Sequence, residues 1–292
     1  MIAPGKYSTA NAFRIALETR LKKVANDEQI DLQRLRRLVA FDRLLARFFQ
    51  SEQTQWVLKG GYAMELRMKE ARTTKDLDFI IEDPKSFLRP DMSLKETIRE
   101  ELQEHVSGDL EDFFVFMIGM PMMDIDAAPY GGARYPVDAR LDGRTFVKFH
   151  VDVAVGDVVL TPLESIKTRD WLGFAGIDSP TVAILSKEQQ FSEKLHSYTM
   201  TNRGVPNSRV KDLVDMVLFI QQGELDQEKM KNSIAVTFAR RKTHEVPEDI
   251  ALPSDHWRPV FEKLARDCGL NIDIDGAFKV LKTFYANLKI RH

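Results

Sequence analysis

Two carboxylates stand one residue apart in Asp76-Leu77-Asp78-Phe79. On a strand, residues i and i+2 leave from one face, so both acids project together while Leu77 and Phe79 turn the other way. Adjacent carboxylates repel unless a proton or a cation lies between them. Hard oxygen ligands suit Mg²⁺ (or Mn²⁺), which also takes waters and phosphate oxygens. Upstream, the apolar run Val57-Leu58 meets Lys59-Gly60-Gly61. A glycine turn opening a helix offers backbone amides to a polyphosphate with no Cβ in the way. A phosphate cradle and a metal site together are what phosphoryl or nucleotidyl transfer needs.

A third acid falls in Val147-Lys148-Phe149-His150-Val151-Asp152-Val153. The valines and Phe149 share one face, and Lys148, His150 and Asp152 share the other. An acid inside so apolar a strand is costly unless it is paired or metal-bound. Asp152 is therefore read as a third ligand that could join Asp76 and Asp78 and lower the pKa of an attacking hydroxyl. The plainer alternative is an edge strand with one wet face, and His150 is left structural. A second acid pair, Asp124 and Asp126, has no glycine turn before it and a proline soon after, so it reads as loop.

The elements that must position these groups follow from periodicity. Phe13, Leu17, Leu21 and Val24 keep helical spacing, as do Leu32, Leu35, Val39 and Phe48, with Asn26-Asp27-Glu28 between them. Trp56–Leu58 and Asp76–Ile81 read as strands flanking a helix over Tyr62–Met68. A helix over Leu94–His105 and a strand over Phe113–Ile118 come next. Tyr135–Leu141 and Thr145–Val155 alternate as strands, joined by the hairpin signal Asp142-Gly143. Beyond Ser186 the pattern is helical: 186–199, 209–221, 227–240, 256–268 and 275–288, with a break at Gly204-Val205-Pro206. The reading is an α+β chain: 1–180 a domain built on a mixed sheet with N-terminal helices, 181–292 a helical C-terminal domain.

Bulk properties narrow the classes. The chain has 292 residues, 43% hydrophobic and 29% charged, enough for a substantial core. No apolar run is long enough to span a bilayer, and the N-terminus lacks a secretory signal. One cysteine, Cys268, fits a reducing compartment, so the expected location is cytoplasmic, with no membrane partner. A net charge of -2 argues against indiscriminate nucleic-acid binding. Two basic clusters remain, one of Arg34, Arg36, Arg37, Arg43 and Arg47, the other Arg240-Arg241-Lys242. Both read as solvated helix faces unless the chemistry calls for a nucleic acid.

Leu58-Lys59-Gly60-Gly61 followed by Arg72-Thr73-Thr74-Lys75-Asp76-Leu77-Asp78 resembles the AbiEii/AbiGii toxin family, a branch of the DNA polymerase β-type nucleotidyltransferases that includes the MenT toxins. The resemblance continues through Glu193-Lys194-Leu195-His196 and Arg209-Val210-Lys211-Asp212-Leu213-Val214-Asp215, then Phe238-Ala239-Arg240, Thr243-His244 and Leu252-Pro253. It implies a polymerase β-like nucleotidyltransferase domain followed by a helical domain that contributes site residues. In such proteins Asp76, Asp78 and Asp152 would bind metal, and Lys59, Gly60, Gly61, Arg72 and Asp212 would serve the nucleotide. Lys194 and Asp215 would complete the catalytic set. A lysine ammonium can neutralise phosphate charge, and Asp212 and Asp215 at i, i+3 share a helix face. Without the resemblance, Lys194 reads as a surface lysine and Arg209–Asp212 as a helix ion pair. The chain departs from the wider superfamily at Tyr62, where a short Ser or Thr is common.

The resemblance implies a toxin enzyme of a toxin–antitoxin or phage-defence pair. It would move a nucleoside monophosphate from NTP to an acceptor hydroxyl, the tRNA 3′ end by likeness to the MenT toxins, and so block translation. A cognate antitoxin would be its partner. Two other readings stand beside it: the same chemistry on a protein or small molecule, since one fold serves many acceptors, and a non-catalytic module that binds nucleotide or antitoxin.

Overall fold

A computed structural model describes residues 6–51, 54–83, 85, 88–125, 128–200 and 209–290. Asp126 and the Gly204-Val205-Pro206 break lie outside the described residues. The chain divides into two compact units. The first comprises Met1–Leu58, Lys75–Gly156 and Ser165–Ile184; the second comprises Lys59–Thr74, Asp157–Glu164 and Leu185–His292.

The first unit opens with α1 (Ala10–Glu28) and α2 (Leu32–Phe48). Asn26, Asp27 and Glu28 do not separate them, as the sequence suggested, but form the last turn of α1. The chain reverses instead at Gln29, whose φ of 54° is left-handed, and Asp31 then caps α2 by accepting from the Arg34 amide at 2.8 Å. Further on come β2 (Asp76–Ile81), α4 (Leu94–Val106), β3 (Phe114–Ile118), β4 (Met123–Asp124), β5 (Gly132–Leu141) and β6 (Arg144–Val155). Asp124 is thus in a two-residue strand paired with β5 rather than in a loop. It is exposed and bound to Lys95 at 2.5 Å, a solvated acid.

With β1 (Val57–Lys59), β7 (Glu164–Lys167) and β8 (Thr181–Ile184), these strands form one mixed sheet in the order β3-β5-β6-β2-β1-β8-β7, β4 pairing outside β5. β6 runs parallel to β2, whereas β5 is antiparallel to β6. Asp142 (φ 55°) and Gly143 (φ 68°) make the tight turn of the β5–β6 hairpin, both left-handed as that turn requires. Between Ala139 and Arg140 the register shifts by one: Ala139 faces Val147 but Arg140 faces Thr145, leaving Phe146 as an extra residue on β6. The core behind the sheet includes Leu35, Phe41, Leu44, Phe79 and Val151, all fully buried.

Two arginines of α2 are also buried. Arg47 grips both oxygens of Asp112 at 2.9 and 2.8 Å, and Arg43 adds a bond at 2.8 Å. The basic stripe on α2 is therefore no uniform solvated face; its C-terminal half is an internal ion network. Burial alone would raise the Asp112 carboxyl, but the two guanidiniums outweigh it and hold its pKa below the ordinary value.

The second unit contains α3 (Gly60–Arg67) and a helical array, α5 (Lys187–Thr199), α6 (Val210–Gln222), α7 (Gln227–Arg241), α8 (Arg258–Asp267) and α9 (Ile274–Leu288). Its core joins Met64 of α3 and Met68, just past its end, to Phe191, Leu213, Val217, Ile234, Phe261 and Leu281. The apolar faces of α6 and α9 recur at i, i+3, i+4 and meet in that core, so packing rather than propensity holds these helices.

Candidate active site

The alternation of β2 and β6 fixes where their acids go. Leu77, Phe79, Val151 and Val153 are buried, so Asp76, Asp78, His150 and Asp152 share the opposite face. In the parallel register Asp76 faces His150 and Asp78 faces Asp152. The structure thus gathers the three strand acids onto one patch of sheet. His150, which sequence reasoning left structural, places its Nδ1 3.2 Å from an Asp76 oxygen.

A residue that sequence reasoning missed sits among them. Arg134 of β5 lies opposite Asp152 in the ladder and donates to both of its oxygens at 2.7 Å, with a further bond to Asp76 at 3.2 Å. The hydrogen bonds to Asp152 push the guanidinium pKa above its usual value, with Asp76 and Asp78 adding to the effect. Gly132, two residues earlier, lets β5 close on β6 at this point, since a Cβ there would run into the Val153 carbonyl.

Do these residues suit a divalent cation? Among the described residues, no group of three or more His, Cys, Asp or Glu side chains is drawn together tightly enough to hold one. Mg²⁺ does not need such a cage; it settles on one or two carboxylates and completes its shell with water and substrate phosphate. The donor set fits in kind: hard oxygens on one face, Asp76 and Asp152 28% and 16% exposed and so open to solvent. The positive charge they need is supplied by Arg134.

In the second unit, α5 and α6 bring the other expected residues together. Lys194 is buried, not a surface lysine, and donates to Asp215 at 2.6 Å while lying 3.6 Å from Asp212. Arg72 donates to both oxygens of Asp215 at 3.1–3.2 Å. Burial would raise the Asp215 carboxyl, but Lys194 and Arg72 overcome it and the pKa falls. Burial raises Asp212 too, and there the nearby Asp215 charge adds to it, so its pKa stays above the ordinary value. One pair of acids on one helix face is thus split into a strong and a weak acid by its surroundings.

Lys59 lies in a separate network. Its ammonium bonds Asp157 at 3.3 Å and Glu193 at 3.1 Å, and Arg241 clamps Asp157 through two bonds at 2.8 Å. Burial would raise Asp157, yet Lys59 and Arg241 bring it down to about 2. Arg241 accordingly leaves the exposed basic cluster that the sequence suggested. Gly60 opens α3 with a left-handed φ of 68°, and a Cβ on Gly61 would come within 2.9 Å of the Thr74 hydroxyl, so each glycine has its own reason. Tyr62 is buried in the first turn of that helix.

A mixed sheet that presents aspartates from adjacent strands, in an α+β chain with an array of helices, defines the class: a nucleotidyltransferase fold. The solved structure of MenT4, a nucleotidyltransferase toxin from Mycobacterium tuberculosis, matches with a TM-score of 0.57 at 15% identity, covering 93% of this chain and 96% of that one. Two Helicobacter pylori structures, one described as a nucleotidyltransferase and one known as JHP933, each share 13% identity. They cover 90% and 89% of this chain and 100% and 97% of theirs, with TM-scores of 0.48 and 0.44. No curated protein sequence matches. Residues 43–280 match the AbiEii nucleotidyl transferase toxin of type IV toxin–antitoxin systems, and the chain belongs to that family.

Proposed function

We propose that this toxin transfers a nucleoside monophosphate from NTP to a hydroxyl at the tRNA 3′ end, and so blocks translation. The observation that carries the reading is the parallel register of β2 and β6, which sets Asp78 beside Asp152 and Asp76 one pleat away. Asp76, Asp78 and Asp152 would hold Mg²⁺ or Mn²⁺; when bound, the cation neutralises the triphosphate and polarises the α-phosphoryl group. Arg134 is the resident counter-charge of these carboxylates and would yield them to a bound cation. Lys59, Gly60, Gly61 and Arg72 serve the triphosphate, Lys194 meets developing negative charge, and Asp212 and Asp215 set the charge of that lysine. The acceptor oxygen bonds to the α-phosphorus as the bond to pyrophosphate breaks. The hydroxyl proton passes to a carboxylate oxygen of the strand pair.

Such an enzyme works in the cytoplasm, where tRNA and NTP meet, within a toxin–antitoxin or phage-defence pair. Among the described residues no helix is long and apolar enough to cross a membrane. The test is to incubate the protein with total tRNA, Mg²⁺ and each α-³²P-labelled NTP in turn, beside Asp78→Ala. Label in tRNA with the wild type alone supports the reading and names the donor base. Label in protein or in a small molecule keeps the chemistry and changes the acceptor. No transfer to any fraction leaves a nucleotide- or antitoxin-binding module in its place.

A further inference from the structure

A basic groove of about 770 Å³ lies between α1, α2 and the tip of the β5–β6 hairpin, all within the first unit. Its cations are Arg14, Lys22, Arg36, Arg37, Arg144 and Lys148, against the single acid Glu18. On a chain whose net charge is -2, this is a local concentration of one sign. Part of it is already spent. Arg36 clamps Glu18 through bonds of 2.9 and 2.7 Å, Arg14 binds Asp142 at 3.1 Å, and Lys148 faces Asp138 across the ladder. Lys22, Arg37 and Arg144 have no ion pair among the described residues. The Arg37 Nε is buried without a hydrogen-bond partner, a donor left unsatisfied by the protein itself.

We propose that this groove docks the phosphate backbone of the acceptor RNA; the inference rests on the acceptor reading given above. The spacing along β6 supports a chain-like polyanion rather than a small anion. Lys148 and Arg144 precede Asp152 by four and eight positions, which at about 3.3 Å per residue is roughly 13 and 26 Å. A stacked strand carries one phosphate per about 3.4 Å, and because α2 packs on the sheet face opposite Asp152 the chain must also pass the hairpin edge, so the groove meets phosphates at least about eight nucleotides from the reacting end. The docking face is thus narrower than the arginine stripe of α2: Arg36 and Arg37 border it, whereas Arg43 and Arg47 are turned into the Asp112 network.

The experiment measures binding of 5′-fluorescent RNA oligonucleotides of three to twelve residues to the full chain without NTP, over a salt series. Wild-type affinity should rise once the length passes about eight nucleotides. In Arg37→Glu/Arg144→Glu that rise should vanish, with at least tenfold weaker binding of the longest RNA and a salt slope smaller by about 1.4–1.8 for two lost phosphate contacts. The three-residue oligonucleotide should bind both proteins alike. Arg37→Gln/Arg144→Gln, with a melting curve matched to wild type, should show the same loss in weaker form and guards against misfolding. An unchanged length dependence in either variant overturns the proposal, as does polyglutamate competing as well as RNA at equal charge. The two readings fail separately: label entering tRNA with variant binding unchanged sinks the groove alone. Groove-dependent RNA binding with no label entering tRNA supports the groove and sinks the acceptor.

Discussion

Replacing Arg134 with methionine tests whether this guanidinium holds the place of a metal. The side chain makes two bonds of 2.7 Å to Asp152 and one of 3.2 Å to Asp76, and is itself 26% exposed. Charge-assisted bonds contribute about 1.5–3 kcal/mol each when a partner is removed, and solvent at this partly open site recovers a share, so a net loss of about 2 kcal/mol is expected. At roughly 2–4 °C per kcal/mol for a chain of this size, the variant should melt about 4–8 °C lower without divalent metal. Metal should reverse the order of events. Wild type must give up the Arg134 bonds before a cation binds, and the variant need not. The same ~2 kcal/mol then appears as roughly 30-fold tighter Mn²⁺ binding by Arg134→Met. Calorimetric titration with Mn²⁺ reads the affinity, and melting with and without Mn²⁺ reads the linked stability. Equal Mn²⁺ affinity in both proteins would refute the reasoning, since Arg134 would not then compete with the cation.

Three further outcomes follow from the buried charges. Asp112→Ala leaves Arg43 and Arg47 buried without their shared partner and should cost about 3–5 kcal/mol in urea unfolding, whereas Arg43→Met/Arg47→Met/Asp112→Leu should recover most of it. Burial, helped by Arg241 and His244, lowers the His196 pKa to about 3. Below pH 6.5 the unfolded chain takes up a proton that the native state refuses, so stability should fall by up to ~1.4 kcal/mol per pH unit toward pH 4. His196→Gln should flatten that slope, and a urea midpoint series shows whether it does. Asp42 behaves oppositely: burial raises it to about 7, so it disfavours the fold increasingly as pH climbs from 4 to 7. Asp42→Asn, which keeps an acceptor for the Thr168 hydroxyl, should gain stability over wild type across that window and level off above it. A difference that does not vary with pH would contradict it.

What the sequence made legible tracks how local the determining physics is. Strand β2 spans Asp76–Ile81 as its alternation predicts, and α5, α6, α7 and α9 start and end within about two residues of their periodic runs. The short strands β7 and β8, four residues each, give too little pattern to be seen. Partners far apart in sequence were not visible either. Nothing near Arg43 or Arg47 announces Asp112, 69 and 65 residues away. Lys59 answers to Asp157 and Glu193, 98 and 134 residues on. Arg134 was hidden for another reason. A regular ladder counted back from the Asp142-Gly143 turn would set it against Val151, and only the extra residue at Phe146 brings it to Asp152. The doublet Phe146-Val147, two apolar residues in a row before strict alternation resumes, was the available signal.

That extra residue divides the hairpin into a tip and a stem with separate rules. The stem is indexed by its own apolar face, where Tyr135 and Val137 meet Val151 and Phe149, and a slip there would bury charge. The tip, Arg140 to Thr145, follows the turn instead. Gains or losses of residues at the tip can be absorbed at the bulge without moving Arg134 from Asp152. Insertions or deletions at the hairpin end that borders the basic groove therefore leave the acidic patch on the stem in frame.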